Sequence, residues 1–178
     1  MRNSTLLLPL RLTAAMVVIV VSANVLVQFP INNWLTWGAA TYPVSFLITD
    51  IANRFHGPAV ARRVLYVGFL LAVILSVYFA TVRIALASGT AFLIAQLLDV
   101  RIFDQLRNSV WWKAPLISSV VGSAVDTALF FTIAFYGTTA PWVTLAVGDF
   151  LVKIVLALIM LVPFSVAYRS YRDARRSA

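Results

Sequence analysis

Asp126, Asp149 and Lys153 stand inside long apolar stretches of the chain, where charge is expensive. An ionised side chain at the centre of a spanning helix costs about 2.5–3.5 kcal/mol on insertion scales. Charges kept there are expected to face the interior of a helix bundle and to hold a substrate, an ion or one another. Asp126 shares a helical face with Ser119, Gly122, Ser123 and Thr127 at three- and four-residue spacing, a polar stripe with residues small enough for close helix approach. Asp149 precedes Lys153 by four residues, the order in which an acid and a base on one helix attract. Asn24 and Gln28 repeat that spacing near the N-terminus. Thr41, Ser45 and Thr49 fall in a row that ends at Asp50, with Pro43 as a potential kink, and Ser88, Gln96 and Asp99 follow further on.

This inventory suits recognition rather than bond-making. The chain has no cysteine and no glutamate, and His56 is its one histidine. No thiolate, metal-ligand or nucleophile–base constellation is visible, so neither cofactor nor metal is expected and an enzyme is the least expected class. No glycine-rich phosphate loop occurs, so no ATPase is expected within this sequence. Plainer readings stand beside the functional one. Stripes of Ser, Thr and Gly are more often packing surfaces than binding surfaces. Asp50, Asp99 and Arg101 lie near helix ends, where solvation explains them equally well. The Asp126, Asp149 and Lys153 group has a structural ion pair as its alternative. His56 reads as surface, and Arg83 as an anchor or gate at the outer interface.

The elements that carry these residues follow from hydropathy. Of 178 residues, 62% are hydrophobic and 11% charged, against about half and about a quarter in a soluble domain. Lipid must solvate much of that surface, which predicts an all-α integral membrane protein. No charge occurs from Leu12 to Thr49, a stretch too long for one crossing and broken at Pro30, Asn32 and Asn33. A single membrane domain over 1–178 is expected, with six helices near 11–29, 36–51, 64–80, 83–99, 114–136 and 142–167. The third and fourth, about 17 residues each, are at the lower limit for spanning and join at a tight turn near Ala80–Arg83. Trp111 and Trp112 are placed like interface anchors, Gly137 to Pro141 reads as a turn, and the basic tail from Arg169 is expected to fray. The run up to Asn24 looks like a signal peptide, but it continues apolar to Phe29 and so reads as an uncleaved helix. Apart from Lys153 inside a helix, every Lys and Arg except Arg83 falls on one side of this topology. Both termini are therefore expected in the cytoplasm, in a multi-pass protein of the cytoplasmic (inner) membrane. The net charge of +8 sits in short clusters flanking apolar runs, so nucleic acid is not an expected partner.

At these residues the chain resembles the vitamin uptake transporter family, also called the queuosine precursor transporters. The matching stretches run from Ser22 to about Tyr168: Ser22-Ala23-Asn24 with Val27-Gln28; Tyr42-Pro43, Phe46 and Thr49-Asp50; Ala61-Arg62-Arg63; Arg83-Ile84-Ala85; Gln96-Leu97-Leu98-Asp99-Val100 with Phe103; Trp111-Trp112; Asp126-Thr127; and Asp149 with Lys153. The resemblance implies a six-transmembrane-helix bundle related to the substrate-binding subunits of energy-coupling-factor transporters. It also implies import of 7-cyano-7-deazaguanine and 7-aminomethyl-7-deazaguanine. By the same resemblance Asn24, Asp50, Arg83, Gln96, Asp99, Asp126, Asp149 and Lys153 occupy the family's polar motif positions. Where close relatives carry a longer segment between the third and fourth helices, here it is cut to almost nothing.

The chemistry of such a solute matches the inventory. A deazaguanine is flat and presents an N–H and an NH₂ along one edge, which a single carboxylate can accept together. Asp126 or Asp149 is expected to take that edge, with Asn24, Gln96 or Lys153 donating to the ring carbonyl. Phe46, Phe130, Phe131 and Trp142 are available to cover the faces. The expected substrate-binding set is thus Asn24, Gln28, Asp50, Gln96, Asp99, Asp126, Asp149 and Lys153. The leading expectation is a transporter working by alternating access in the lipid bilayer. The alternative is a binding subunit for another vitamin-like or purine-like solute, energised by a separate module. A scaffold protein with no small-molecule site comes third. A 19.6 kDa bundle is small for a transporter and leaves room for a homodimer.

Overall fold

A computed structural model of the chain describes residues 2–26, 29–32, 35–76, 82–139 and 141–176. Its elements in order are α1 (Arg2–Leu26), β1 (Pro30–Asn32), β2 (Leu35–Thr36), α2 (Trp37–Thr41), α3 (Pro43–His56), α4 (Pro58–Ser76), α5 (Val82–Leu106), α6 (Lys113–Phe135) and α7 (Trp142–Arg176). Among the described residues the fold is helical apart from one short antiparallel pair, β1–β2, which falls at the break expected around Pro30 and Asn32. The sequence places its second helix over 36–51. In the structure that helix divides at Pro43, which lacks the N–H that would bond back one turn, and then continues to His56.

Most other differences in boundary have one cause: charge marks where a helix leaves apolar surroundings, not where its backbone hydrogen bonds stop. α5 runs to Leu106, through Asp99, Arg101 and Asp104, and α1 begins at Arg2. α3 stops where Gly57 adopts φ 87°, a backbone that favours glycine, and Pro58 starts α4 as a preset first residue. The tail is a correction. It does not fray at Arg169 but stays helical to Arg176, with Tyr171 stacked on Phe55 of α3 at 4.5 Å between ring centres. The tight turn expected at Ala80–Arg83 falls largely outside the described residues.

Among the described residues, three helices are long and apolar enough to cross a membrane: α5, α6 and α7 over Trp142–Asp173. Their surfaces agree with that. On α7, Val143, Val147, Leu151, Val155, Val162 and Val166 form an exposed aliphatic stripe at roughly helical spacing, as expected of a face turned to lipid. The buried side carries a core of Met16 and Val20 (α1), Ile48 and Ala52 (α3), Val64 and Leu65 (α4) and Phe92 and Val100 (α5).

α5 and α6 form the most extensive helix pair, and small residues allow it. A β-carbon added at Gly122 of α6 would lie 2.8 Å from a ring carbon of Phe46, 3.3 Å from the Ala95 carbonyl oxygen and 3.4 Å from the Asp99 β-carbon. Gly122→Ala is therefore expected to lower stability by about 1–3 kcal/mol, seen as a fall in the thermal midpoint in detergent. An unchanged midpoint would mean that α5 and α6 do not close as tightly as described.

Candidate functional site

Asp126, Asp149 and Lys153 collect where α6 and α7 meet Tyr42, between α2 and α3. The single turn between Asp149 and Lys153 on α7 lets the ammonium reach back to its own helix, where it meets Asp149 Oδ2 at 2.5 Å. It also meets Asp126 Oδ2 at 2.8 Å and Thr127 Oγ1 at 3.0 Å, both on α6. An ammonium has three protons, and these are three acceptors. Thr127 donates a hydrogen bond to Asp149 Oδ2 at 2.7 Å, and Tyr42 donates to Asp126 Oδ1 at 2.9 Å. Lys153 is 4% exposed and Asp126 likewise 4%. The cluster is largely buried and carries two acids against one base.

Tyr42 was legible in the sequence only as the residue before Pro43. A buried phenol must find a partner for its O–H, and the break ahead of Pro43 sets it beside Asp126. Its ring centre lies 5.3 Å from the Lys153 ammonium nitrogen.

A second polar group binds α3 to α5. Thr49 donates to Gln96 Oε1 at 2.5 Å, and Gln96 Nε2 donates to Ser45 Oγ at 2.9 Å. Gln96 is wholly buried with both ends of its amide used. One turn further along, Asp50 of α3 accepts long contacts of 3.4 Å from each of the Ser118 and Ser119 hydroxyls of α6. Asp99 of α5 sits beside it, fully enclosed. The solvated alternative for Asp50 and Asp99 does not hold, since Asp50 is 2% exposed and Asp99 0%.

Beyond this group the helices are latched. Arg54 donates to the Arg107 carbonyl at 2.6 Å and the Trp111 carbonyl at 3.3 Å, and its guanidinium lies 5.2–5.9 Å from the ring centres of Phe103, Phe164 and Tyr168. Arg107 in turn bonds both the backbone and side-chain oxygens of Asn53.

Between the two groups α3, α6 and α7 leave a narrow pocket. Phe46 and Asp50 line it from α3, Ser119 and Ser123 from α6, and Lys153 and Phe164 from α7. It presents an acid with weakly held oxygens, two hydroxyls, a cation at one end and two aromatic side chains. That set can hold a flat polar solute by its edge and its faces. Its clear space is no larger than a water molecule, so a bicyclic ring enters only if the helices part.

The expected site residues divide accordingly. Asp50 and Lys153 line the pocket; Asp126 and Asp149 hold Lys153; Gln96 and Asp99 stand behind Asp50, away from the lining. Asn24 falls within α1, but its side chain, like the whole of Gln28, lies outside the described residues. Arg83 sits apart and exposed, donating to the Ile133 carbonyl at 3.1 Å and the Tyr136 carbonyl at 2.6 Å, and so ties the start of α5 to the end of α6. Phe130 and Phe131 cluster with Phe135 rather than facing the pocket. Phe164 takes the aromatic position that the sequence did not single out.

Comparison with known proteins gives consistent matches. The family described as "Putative vitamin uptake transporter" matches residues 36–82 and 75–168. The "Probable queuosine precursor transporter" of Haemophilus influenzae is 36% identical over 154 aligned positions, taking in 72% of this chain and 66% of that protein. The "Queuosine precursor transporter" of Escherichia coli is 31% identical over 174 positions, covering 82% of this chain and 79% of the relative. A "Probable queuosine precursor transporter" of Bacillus subtilis is 27% identical over 162 positions, covering 74% and 70%. No solved structure matches significantly.

Proposed function

The chain belongs to the vitamin uptake transporter family, and from that premise we propose that it imports a queuosine precursor of the 7-deazaguanine type across the cytoplasmic membrane. The observation that carries this reading is the pocket itself, where a buried carboxylate and a buried ammonium face one space between α3, α6 and α7. Asp50 takes the N–H and NH₂ of the guanine-like edge. Its present partners are two hydroxyls at 3.4 Å, easily exchanged for better donors. Both Asp126 oxygens are already engaged by Tyr42 and Lys153, so Asp126 serves as the support of the cation rather than as the receptor of the edge. Lys153 turns one N–H from this shell to the ring carbonyl. Phe46 and Phe164 cover the ring, and the hydroxyls of Ser119 and Ser123 complete the polar wall.

The bundle crosses the membrane six times with both termini in the cytoplasm, α2 and α3 together forming the second crossing. Because the pocket is closed around a water-sized space, binding and release require α7 to move away from α3 and α6, as alternating access demands. Pro43 in the α2–α3 span and Pro163 inside α7 are the natural bending points. On this reading the solute passes through unchanged.

The test is recovery of queuosine in tRNA. In a bacterial strain that depends on external precursor and lacks its own importer, expression of this chain is expected to restore the modified base when 7-cyano-7-deazaguanine is supplied. Protein found in the membrane without restoration would count against the reading.

A further inference from the structure

Asp99 is a buried carboxyl whose one neighbouring donor, the Ser118 hydroxyl, makes its 3.4 Å contact with Asp50 instead. It has no exposed surface, and among the described residues neither of its oxygens receives a hydrogen bond. Its polar neighbours are the Asp50 carboxyl and the Ser118 hydroxyl. Asp50 is as deeply enclosed, and its own donors are the two long contacts from Ser118 and Ser119. Two ionised carboxylates side by side in a dry interior repel with little screening, and a buried acceptor without a donor is costly in itself.

The charges on the packed helices relieve this only in part. On α3, Arg54 lies within electrostatic reach of Asp50, but its terminal nitrogens are spent on the Arg107 and Trp111 carbonyls and no hydrogen bond joins it to either carboxyl. Arg107, beyond α5, is committed to Asn53 and Asp104. Lys153 of α7 already has its three acceptors. α6 contributes only hydroxyls here, and its Asp126 is held by Lys153 and Tyr42. α1 and α4 bury the apolar Met16, Val20, Val64 and Leu65, while Arg62, Arg63 and Arg101 are exposed.

One proton placed between the two carboxyls removes both defects. It cancels one charge and supplies the donor that Asp99 lacks, as in other buried acid pairs whose charges are too close for both to ionise. A hard metal cation fits less well, because it needs six or more oxygens at bonding distance, and this site brings two carboxyls and two distant hydroxyls. We propose that Asp50 and Asp99 form a one-proton site, and that the pocket binds its substrate only while that proton is present. The proposal rests on the assignment of the substrate edge to Asp50. When the substrate's N–H and NH₂ reach Asp50, the shared proton moves fully onto Asp99. Asp50 is thereby left ionised to accept both donors, while Asp99 stays neutral. Asp99 touches no substrate atom; it is a positioning residue that sets the charge of Asp50.

The experiment uses the full chain purified in detergent, with 7-cyano-7-deazaguanine as probe and calorimetry across pH. Substrate seated on Asp50 excludes water from the pair and makes a second charge there costlier, so the occupied pocket holds the proton more tightly than the open one. Wild-type affinity is therefore expected to fall as pH rises, approaching tenfold per pH unit once the unoccupied pair loses its proton. Asp99→Asn carries a neutral side chain with a permanent N–H donor, and its affinity is expected to stay flat over the same range. Infrared spectra of the ligand-free wild type should show the carbonyl stretch of a protonated carboxyl, and Asp99→Asn should lack it. A wild-type affinity as flat as that of the variant would overturn the proposal. So would absence of the band, or affinity that follows sodium and not protons. If the wild type binds no deazaguanine at any pH, the substrate reading falls, and the infrared band alone decides whether the pair holds a proton.

Discussion

Replacing Lys153 by methionine is expected to abolish uptake and to remove about 3–5 kcal/mol of stability. The ammonium lies among Asp126, Asp149 and Thr127, 2.5–3.0 Å from each, with only 4% of its residue surface exposed. Methionine nearly preserves the volume but leaves the buried Asp126 and the partly buried Asp149 close together with no counter-charge. Thermal unfolding in detergent checks the magnitude. Loss of fold and loss of function are separated by a triple variant in which Asp126→Asn and Asp149→Asn accompany the change. With no charge left to strand, most of the stability should return, because neutral replacements of buried ion networks are often well tolerated. Uptake should not return, since the donor to the ring carbonyl is still missing. A single variant as stable and as active as the wild type would show that the cluster is idle.

Asp50→Asn is expected to act in opposite directions on stability and binding. Two charge-assisted hydrogen bonds to the substrate edge, at about 1.5–3 kcal/mol each, give about 3–6 kcal/mol. At about 1.4 kcal/mol per tenfold, that is a loss of affinity of roughly 10²- to 10⁴-fold. The amide keeps one acceptor but turns an N–H toward the substrate's own donors, a mismatch that a buried site does not forgive. The fold should be unharmed or somewhat firmer, because the change removes a charge from a residue that is 2% exposed and held by two contacts of 3.4 Å. Calorimetry and a thermal midpoint on the same sample check both halves. Weakened binding together with a lowered midpoint would indicate general disruption instead.

The parts of this arrangement legible from sequence are those that cost energy to place. Asp126, Asp149 and Lys153 announce themselves because charge deep in an apolar run needs a partner, and the structure brings all three together. The i, i+4 spacing of Asp149 and Lys153 fixes their contact before any tertiary information is needed. The α6 stripe of Ser119, Gly122, Ser123 and Asp126 is likewise readable from helical period, and it does face α3, α5 and α7. What composition hides is long-range partnership. Gln96 reads as a free amide, yet it is consumed by Ser45 and Thr49 on another helix. Asp50 and Asp99, 49 positions apart in sequence, look like ordinary helix-end acids until the packing of α3 on α5 encloses them side by side. Tyr42 and Phe164 carry no periodic signal of their own. Their roles depend on the break at Pro43 and on which face α7 turns inward.

Import of a 7-deazaguanine through this chain is the central claim, and uptake into proteoliposomes containing only the purified protein tests it most directly. Labelled 7-cyano-7-deazaguanine should enter saturably above protein-free vesicles. Unlabelled compounds bearing the guanine-type edge should compete, adenine should not, and Asp50→Asn should reduce uptake to background. Entry no faster than into empty vesicles would contradict the account, as would uptake that Asp50→Asn leaves unchanged.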